Sequence, residues 1–281
     1  MAGVVDEFRI DSHKLAYHPE RVSQWLNGNS VYPIYAEVAL AGGCQHRCIF
    51  CAFDYIGYKK VFQSSESLLN ALKQAAFGGL KAVMFAGEGE PLLHPGIKNI
   101  VWWTYDLGLN IAITTNASLL TPELSRLLLP HLSWLRASIN AGTPETYAKV
   151  HRVAPSEFEK VISNLAAAAE IDGSCIIGAQ IVVLPENRHE VETLAQRLAD
   201  IGLGYLIVKP YSQHPKSVVR RETEPLPEVR IDGIKVIMRH RAEENLQSDK
   251  TYQHCLGLPF WSYIDAQGNV WGCSCFLGDK R

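Results

Sequence analysis

The chain has 281 residues, 47% of them hydrophobic and 20% charged, and its formal net charge is −2. This length suits one large domain, or one domain with a small addition. The near-neutral balance gives no overall attraction to nucleic acid or to an anionic membrane, so no specific nucleic-acid binding is predicted. No run of about 18 apolar residues is present, so no membrane-spanning helix is expected. The first twenty residues lack a signal-peptide pattern, and a cytoplasmic location is therefore expected.

Apolar runs alternate with helical patterns through the first 210 residues. Six apolar runs predict buried strands at 33–40, 81–86, 110–115, 134–139, 175–184 and 204–208. Helical periodicity and start signals predict helices at 65–77, at 96–107, from Thr121, from Thr143, at 157–170 and at 187–201. Strands that alternate with helices pair in parallel through right-handed crossovers, so the sequence predicts an α/β fold.

The composition of the chain changes after the sixth predicted strand. We expect an N-terminal extension at 1–30, a core at 31–210, a polar and proline-bearing connector at 211–250, and a small cysteine-bearing addition at 251–281. Within that addition, residues 259–273 alternate around Ala-Gln-Gly-Asn, which is typical of a β-hairpin.

Three of the seven cysteines lie on one glycine-led loop directly after the first strand. Cys44, Cys48 and Cys51 have the spacing CxxxCxxC. Loops at the carboxyl ends of parallel strands are where functional groups gather. Thiolates favour zinc or iron–sulfur clusters, and structural zinc sites close with four ligands. Three thiolates on a four-iron cubane would instead leave one iron open to a substrate or cofactor.

This spacing, with Phe50 before the last cysteine, resembles the signature of the radical S-adenosylmethionine (radical SAM) superfamily. The resemblance implies a partial (β/α)₆ barrel, a [4Fe–4S] cluster on the three cysteines and S-adenosylmethionine (SAM) as the second cofactor. In this superfamily the reduced cluster cleaves SAM to methionine and a 5′-deoxyadenosyl radical, which abstracts hydrogen from a C–H bond of the substrate. A flavodoxin or ferredoxin is the kind of electron donor implied as a partner.

Further segments resemble the parts of the superfamily that contact SAM. "AGEGEPLLHP" (86–95) is similar to the GGEP motif, although Glu88 stands where glycine is more common. Its Gly89 and Glu90 are implied to meet the methionine amino group. Other SAM contacts that the resemblance implies are Phe50, Thr115 and Asn116 after the third strand, Ser138 and Asn140 at the end of the fourth, Arg152, and Gln180 with Ile181 in the fifth.

The C-terminal cysteines resemble part of a second pattern. Cys255, Gly268 and Cys273 match the CX₉₋₁₅GX₄C opening of SPASM and twitch domains, which hold auxiliary iron–sulfur clusters. Only Cys275 follows, so we expect that another ligand completes the site, that the sequence is truncated, or that one cysteine is a reactant. Cys255, Cys273 and Cys275 are therefore candidate metal ligands. Cys255 and Cys275 are also candidate catalytic residues, with Cys275 preferred as a hydrogen-atom donor.

Substrate contacts are expected just past the sixth strand, at Lys209, Tyr211, Gln213 and His214. Only 43 residues precede the first cluster cysteine, which is short for the leader-binding module of peptide-modifying relatives. The sequence therefore favours epimerisation or oxidation of a sugar or aminoglycoside-type small molecule. One alternative is Cα epimerisation or crosslinking of a ribosomal peptide, and another is a non-catalytic iron–sulfur or zinc protein.

Overall fold

A computed structural model describes residues 15–51, 57, 60–211, 224–239 and 255–272. Within these residues the strands are β1 Tyr35–Val38, β2 Ala82–Phe85, β3 Asn110–Thr115, β4 Trp134–Ser138, β5 Ile176–Val183, β6 Tyr205–Pro210, β7 Lys235–Met238, β8 Trp261–Ile264 and β9 Val270–Trp271. The α-helices are α1 Pro19–Leu26, α2 Ser65–Phe77, α3 Ile97–Asp106, α4 Pro122–Leu128, α5 Pro144–His151, α6 Ser156–Ala169 and α7 Val191–Asp200. Short 3₁₀ turns lie at Leu15–Tyr17, Pro91–Leu93, Leu129–His131, Arg188–Glu190 and Leu258–Phe260.

All nine of these strands belong to one sheet, in the order β7-β6-β5-β4-β3-β2-β1-β8-β9. Every neighbouring pair is parallel except β8 and β9, which are antiparallel. The order is linear, with β7 and β9 at its two edges, so the sheet is open rather than closed. The predicted α/β fold with a partial barrel is confirmed.

The two faces of the sheet differ in polarity because side chains alternate along each strand. One face is fully buried and apolar, and it packs with the helices in a single core that includes Val38, Phe85, Ile113, Leu135, Ile181 and Val208. The other face carries half-buried polar and charged side chains, among them Glu37, Thr114, Arg136, Ser138 and Lys209. This second, inner face therefore forms a partly polar wall that also carries apolar side chains such as Met84 and Ile207, and the apolar face carries the hydrophobic core.

Predicted helix starts agree with the observed caps. Thr121 Oγ1 accepts a hydrogen bond from Leu124 N at 3.2 Å, and Thr143 Oγ1 accepts one from Thr146 N at 3.4 Å. In both helices proline follows the cap, where its fixed φ suits the first turn. These caps fix where α4 and α5 begin.

The C-terminal hairpin lies on the same sheet as the core. Its turn has Gly268 in the left-handed region (φ 86°), and the Asp265 carboxylate accepts hydrogen bonds from Gln267 N and Asn269 N, both at 2.9 Å. Its first strand, β8, pairs in parallel with β1, so that Tyr35 lies opposite Trp261. The predicted hairpin is therefore present, and it extends the sheet on the free side of β1.

One strand and one α-helix lie in segments that the sequence pattern left without regular structure. Strand β7 falls inside the predicted connector, and helix α1 falls inside the predicted N-terminal extension. The domain boundaries themselves stay predictions. Within the described residues, every helix is too short or too polar for a bilayer crossing.

Candidate functional site

The cysteine loop leaves the carboxyl end of β1 and docks on the carboxyl end of α5. Arg47 N donates to the carbonyl of His151 at 3.1 Å, and Ile49 N donates to the carbonyl of Val150 at 2.9 Å. These carbonyls lie in the last turn of α5, where helix geometry leaves acceptors without an intrahelical partner. A further bond, from Cys51 N to the Cys48 carbonyl at 3.0 Å, turns the chain between two of the thiols. Cys44, Cys48 and Cys51 are all half-buried on this loop, and none of them is in a disulfide.

The glycine-rich loop after β2 packs directly against the cysteine loop. Glu90 N donates to the Gly43 carbonyl at 2.9 Å. A Cβ at Gly89 would fall on the carbonyl oxygens of Ala41 and Gly43, so only glycine allows the two backbones to approach this closely. Gly89 is therefore required by the contact between the glycine-rich loop and the backbone of the cysteine loop.

Glu88 occupies the position where glycine is more common in the superfamily motif. Its Oε2 accepts a hydrogen bond from Ala266 N at 2.8 Å. The side chain therefore ties the glycine-rich loop to the turn between β8 and β9. In this chain the departure from the motif serves to attach the C-terminal hairpin to the site.

Glu90 is a fully buried carboxylate that joins two loops. Its Oε1 accepts from Leu92 N at 3.1 Å and from Thr115 Oγ1 at 2.6 Å, and its Oε2 accepts from Asn116 N at 2.8 Å. Burial raises the pKa of Glu90 to about 7, although these hydrogen bonds oppose the rise. Among the described residues no basic side chain lies within 4 Å of it. Oε2 can accept one more donor, so the site suits an ammonium group.

Asn116, at the end of β3, braces the first cysteine. Its Nδ2 lies 3.6 Å from Cys44 Sγ, and its Oδ1 accepts from Gln45 Nε2 at 3.1 Å. Burial, with the carboxylate of Glu90 nearby, raises the pKa of the Cys44 thiol to about 12. A metal cation beside this thiol would reverse that effect, because a coordinating thiol is deprotonated outright.

His151 lies against the second cysteine, with Nδ1 3.2 Å from Cys48 Sγ. Its other ring nitrogen, Nε2, lies 3.3 Å from Asn140 N. A backbone N–H can only donate, so Nε2 is the acceptor and the ring proton of neutral His151 is on Nδ1. Burial lowers the pKa of His151 well below its ordinary value, which keeps the ring neutral. The geometry therefore directs an N–H donor at the Cys48 sulfur.

His46 completes a second group of donor atoms around Cys48. The ligand atoms of His46, Cys48 and His151 all lie within 4.8 Å of one another, a spacing that a metal ion could also use. Both ring nitrogens of His46 are buried without a hydrogen-bond partner in the described part of the chain. This group is the geometric basis of the zinc alternative. It uses only one of the three loop cysteines and leaves Cys44 and Cys51 unexplained.

The residues predicted to contact SAM at the end of β4 and in β5 fall into two groups. Ser138, Asn140 and Gln180 gather at the carboxyl edge of the inner face, where Ser138 lies opposite Gln180. Asn140 is fully buried: its Oδ1 accepts from Val182 N at 2.8 Å, and its Nδ2 lies 3.3 Å from Ser138 Oγ. By contrast, Ile181 faces the apolar core on the other side of the sheet.

Of two further predicted SAM contacts, one directly follows α5 and the other lies on the cysteine loop itself. Arg152 is exposed at the carboxyl end of α5, in the left-handed conformation with φ 54°. Phe50 packs against Tyr211, with ring centroids 6.4 Å apart. Tyr211, a predicted substrate residue, is thereby joined to the cysteine loop.

The other predicted substrate and C-terminal residues are only partly described. Lys209 lies on the inner face of β6, where Val182 is its neighbour on β5. Cys255 is an exposed free thiol. Four predicted site residues lie outside the described residues: Gln213, His214, Cys273 and Cys275.

One residue that the sequence reading missed holds the start of α5. Glu190 Oε2 accepts from Gly142 N at 2.7 Å and from Thr143 N at 3.1 Å, while Oε1 accepts from the hydroxyls of Thr143 and Thr146 at 2.8 and 2.6 Å. These bonds lower the pKa of Glu190, against the opposing effect of burial. Glu190 lies more than 40 residues beyond the start of the helix it caps, so no local pattern in the sequence indicates this role.

Comparison with known proteins places this site in a family. The model of the Radical SAM superfamily matches residues 38–198, more than half of the chain. The chain belongs to the radical SAM superfamily.

Curated relatives of this radical SAM protein include two probable GTP 3′,8-cyclases. That of Saccharolobus islandicus is 28% identical over 167 residues, which cover 59% of this chain and 53% of the relative. That of Methanothermobacter thermautotrophicus is 25% identical over 219 residues, 76% of this chain and 70% of the relative. The chain thus spans about half the length of the first of these relatives.

Solved radical SAM structures share the fold at low sequence identity. Streptococcus suis SuiB bound to its precursor peptide SuiA has a TM-score of 0.72 and 16% identity, covering 95% of this chain and 65% of that one. The anSMEcpe enzyme with bound AdoMet and Cp18Cys peptide has a TM-score of 0.60 and 14% identity, covering 88% and 76%. At these identities the likeness establishes the architecture alone.

Membership of the superfamily implies a [4Fe–4S] cluster and SAM as cofactors, and the described residues fit both. Three thiols on one braced loop supply the soft donors that iron–sulfur clusters take. The buried Glu90 carboxylate, which has no cationic partner among the described residues, suits the amino group of SAM.

Proposed function

We propose that Cys44, Cys48 and Cys51 hold the [4Fe–4S] cluster, and that this enzyme removes hydrogen from a C–H bond of a small polar substrate in order to epimerise or oxidise it. A sugar or aminoglycoside-type molecule is the class that the sequence favours. When bound and reduced, the cluster supplies one electron that cleaves SAM into methionine and the 5′-deoxyadenosyl group that takes the substrate hydrogen. The proposal rests chiefly on the braced three-thiol loop at the mouth of a polar half-barrel.

The chain's own residues would position the reactants and exclude competing reactions. Glu90 would accept a hydrogen bond from the SAM ammonium through Oε2. Ser138 and Gln180, neighbours on the inner face of the sheet, would contact polar groups of SAM. Lys209 and Tyr211, at the end of β6, would contact the substrate. A flavodoxin or ferredoxin would deliver the electron.

Peptide modification is the second candidate. SuiB, with a TM-score of 0.72 to this chain, has been solved with its precursor peptide, and the curated relatives are named as acting on GTP. Substrates labelled with deuterium separate these classes. The reduced enzyme, given SAM and a deuterated substrate, is expected to move deuterium from sugar-type molecules into 5′-deoxyadenosine. Transfer from a peptide but from no small molecule would replace the first candidate with the second.

The C-terminal cysteines decide between two versions of this chemistry. Epimerisation must return a hydrogen atom to the opposite face of the substrate radical, and the Cys275 thiol is the proposed donor. The alternative makes Cys275 a ligand of an auxiliary cluster with Cys255 and Cys273. Iron content separates the two, because Cys275→Ala keeps its iron if the residue is a donor and loses iron if it is a ligand. A donor variant should also consume substrate without forming the epimer.

A further inference from the structure

The inner face of the half-barrel carries more positive than negative charge. Glu37 on β1 is the acidic side chain of this wall, and it shares the face with Arg136 on β4, Lys209 on β6 and Arg239 just past β7. Side chains alternate between the two faces along each strand, and the strand register relates the positions on neighbouring strands. Together these place all four side chains on the same, inner face. Arg136, Lys209 and Arg239 therefore share this face with the Glu37 carboxylate.

Arg136 is held in place but keeps unused donors. Its Nη2 donates to Thr114 Oγ1 at 3.3 Å, and its guanidinium lies 4.8 Å from the centroid of the Trp134 ring. Its Nε is buried without a hydrogen-bond partner in the described part of the chain. A guanidinium has five N–H donors in a fixed fork that matches a carboxylate or phosphate. Arg136 is thus oriented by its neighbours and has donors available for a ligand.

The cations of this wall lack close ion pairs. Among the described residues, no carboxylate lies within 4 Å of Arg136 or Lys209. Burial lowers the pKa of Lys209 to about 8, and the neighbouring Arg136 and Arg239 act in the same direction. Burial raises the pKa of Glu37 to about 7, against the effect of Arg136 and Lys209. Uncompensated cations of this kind favour a bound anion.

The cluster of charges also lies where a substrate would reach the cysteine loop. Arg136 is two residues before Ser138 on β4, and Lys209 lies opposite Val182, which donates to Asn140. Lys209 therefore lies at the carboxyl edge of the sheet, at which the cysteine loop begins. Arg136 lies deeper on the inner face, level with Tyr205 at the start of β6, and its charge still acts on Lys209.

We propose that Arg136 and Lys209 form an anion-binding subsite that holds a carboxylate or phosphate group of the substrate. This inference deepens the proposed function, and it depends on that function only for the statement that the bound anion belongs to the substrate. A polycationic aminoglycoside would be repelled by the cationic side chains of this wall. Within the small-molecule class, the charges therefore favour an acidic or phosphorylated sugar.

Direct binding of simple anions tests the subsite without any turnover. The reconstituted enzyme is titrated by calorimetry with inorganic phosphate and, separately, with succinate, at constant ionic strength set by chloride. We expect at least one of them to bind, and the tighter one identifies the anionic group. Arg136→Gln and Lys209→Gln should each weaken binding about tenfold or more, the size of a lost charge-assisted hydrogen bond. Lys73→Gln, on the exposed surface of α2, is the matched control and should leave binding unchanged.

Glu37→Gln is expected to change the affinity for anions in the opposite direction. Removal of the Glu37 carboxylate, which interacts with Arg136 and Lys209, should tighten anion binding, which damage to the fold would not do. Two results would overturn the subsite. One is failure of both anions to bind the wild-type enzyme, and the other is binding by Arg136→Gln and Lys209→Gln that equals binding by the wild type. Weaker binding in Glu37→Gln would be a third. None of these results depends on cleavage of SAM, so the subsite and the proposed function can fail separately.

Discussion

Glu190 stabilises the helix on which the cysteine loop docks, and its replacement should have a calculable effect. The carboxylate accepts four hydrogen bonds, two from backbone N–H groups at the start of α5 and two from threonine hydroxyls. In Glu190→Gln the hydroxyls can turn to accept from the new amide, so the bonds persist but lose their charge. A hydrogen bond to a charged group is worth about 1 kcal/mol more than a neutral one. For the two N–H bonds and the lost helix-dipole interaction, we expect a loss of about 2–3 kcal/mol in the free energy of unfolding.

Glu190→Ala should cost more than Glu190→Gln. It leaves the buried Gly142 N and the partly buried Thr143 N without their acceptor, and a buried unsatisfied donor costs about 1–3 kcal/mol. Urea denaturation at neutral pH measures the free energy of unfolding of both variants. A shift of the midpoint with an unchanged slope reports the change in stability. Glu192→Gln, an exposed carboxylate in the first turn of α7, is the control and should stay within about 0.5 kcal/mol of wild type.

The pH dependence of the same measurement gives an independent check. The folded state lowers the pKa of Glu190 below its ordinary value of 4.5. The stability that this carboxylate contributes is therefore complete above 4.5 and is lost as the pH falls through the folded pKa. The difference between wild type and Glu190→Gln should shrink over that acid range. Equal stability of the two proteins at neutral pH, or a difference that is constant with pH, would refute the assignment of Glu190 as a charged cap.

Two further predictions concern the site itself. Glu90→Ala should weaken SAM binding to the reconstituted enzyme by about one to two decades in equilibrium dialysis, because a charge-assisted hydrogen bond to the ammonium is lost; unchanged affinity in a folded variant would contradict the contact. His151→Leu should lower the midpoint potential of the cluster in an EPR-monitored redox titration, since an N–H bond to the Cys48 sulfur stabilises the reduced state. Tyr147→Phe keeps the ring stacked on His151 and is the control; a potential equal to wild type in His151→Leu would exclude this hydrogen bond.

Local signals in the sequence were enough for much of the fold. Helix α2 spans the predicted 65–77, since Ser64 caps it and Gly78 follows its last residue. Thr121 and Thr143 cap their helices as expected, because a cap is set by residues within one turn. The six core strands follow from their apolar runs, and these lie between helices as the parallel arrangement requires.

The features that sequence reasoning missed are non-local. Strand β7 has only four residues, Lys235–Met238, and it lies at the edge of the sheet, where partial exposure leaves a weak apolar pattern. The pairing of β8 with β1 joins segments more than 220 residues apart. Glu190 and His151 act through contacts that only the packed structure creates.

The candidate site, like the fold, could be predicted from the sequence only in part. The spacing of Cys44, Cys48 and Cys51 was sufficient to identify the loop and its family. The braces that hold the loop could not be predicted, because they come from three different elements: the end of α5, the glycine-rich loop and the end of β3. Glu88 departs from the superfamily motif, and the sequence alone did not explain this departure. Its hydrogen bond to Ala266 shows that the departure attaches the C-terminal hairpin to the site.

Formation of 5′-deoxyadenosine under anaerobic, reducing conditions tests the central claim most directly. The reconstituted wild-type enzyme, given SAM and an electron donor, should produce 5′-deoxyadenosine. The variant with Cys44, Cys48 and Cys51 all replaced by alanine should bind no cluster and produce none. If that triple variant still cleaves SAM, the three cysteines do not hold the catalytic cluster and the account is wrong.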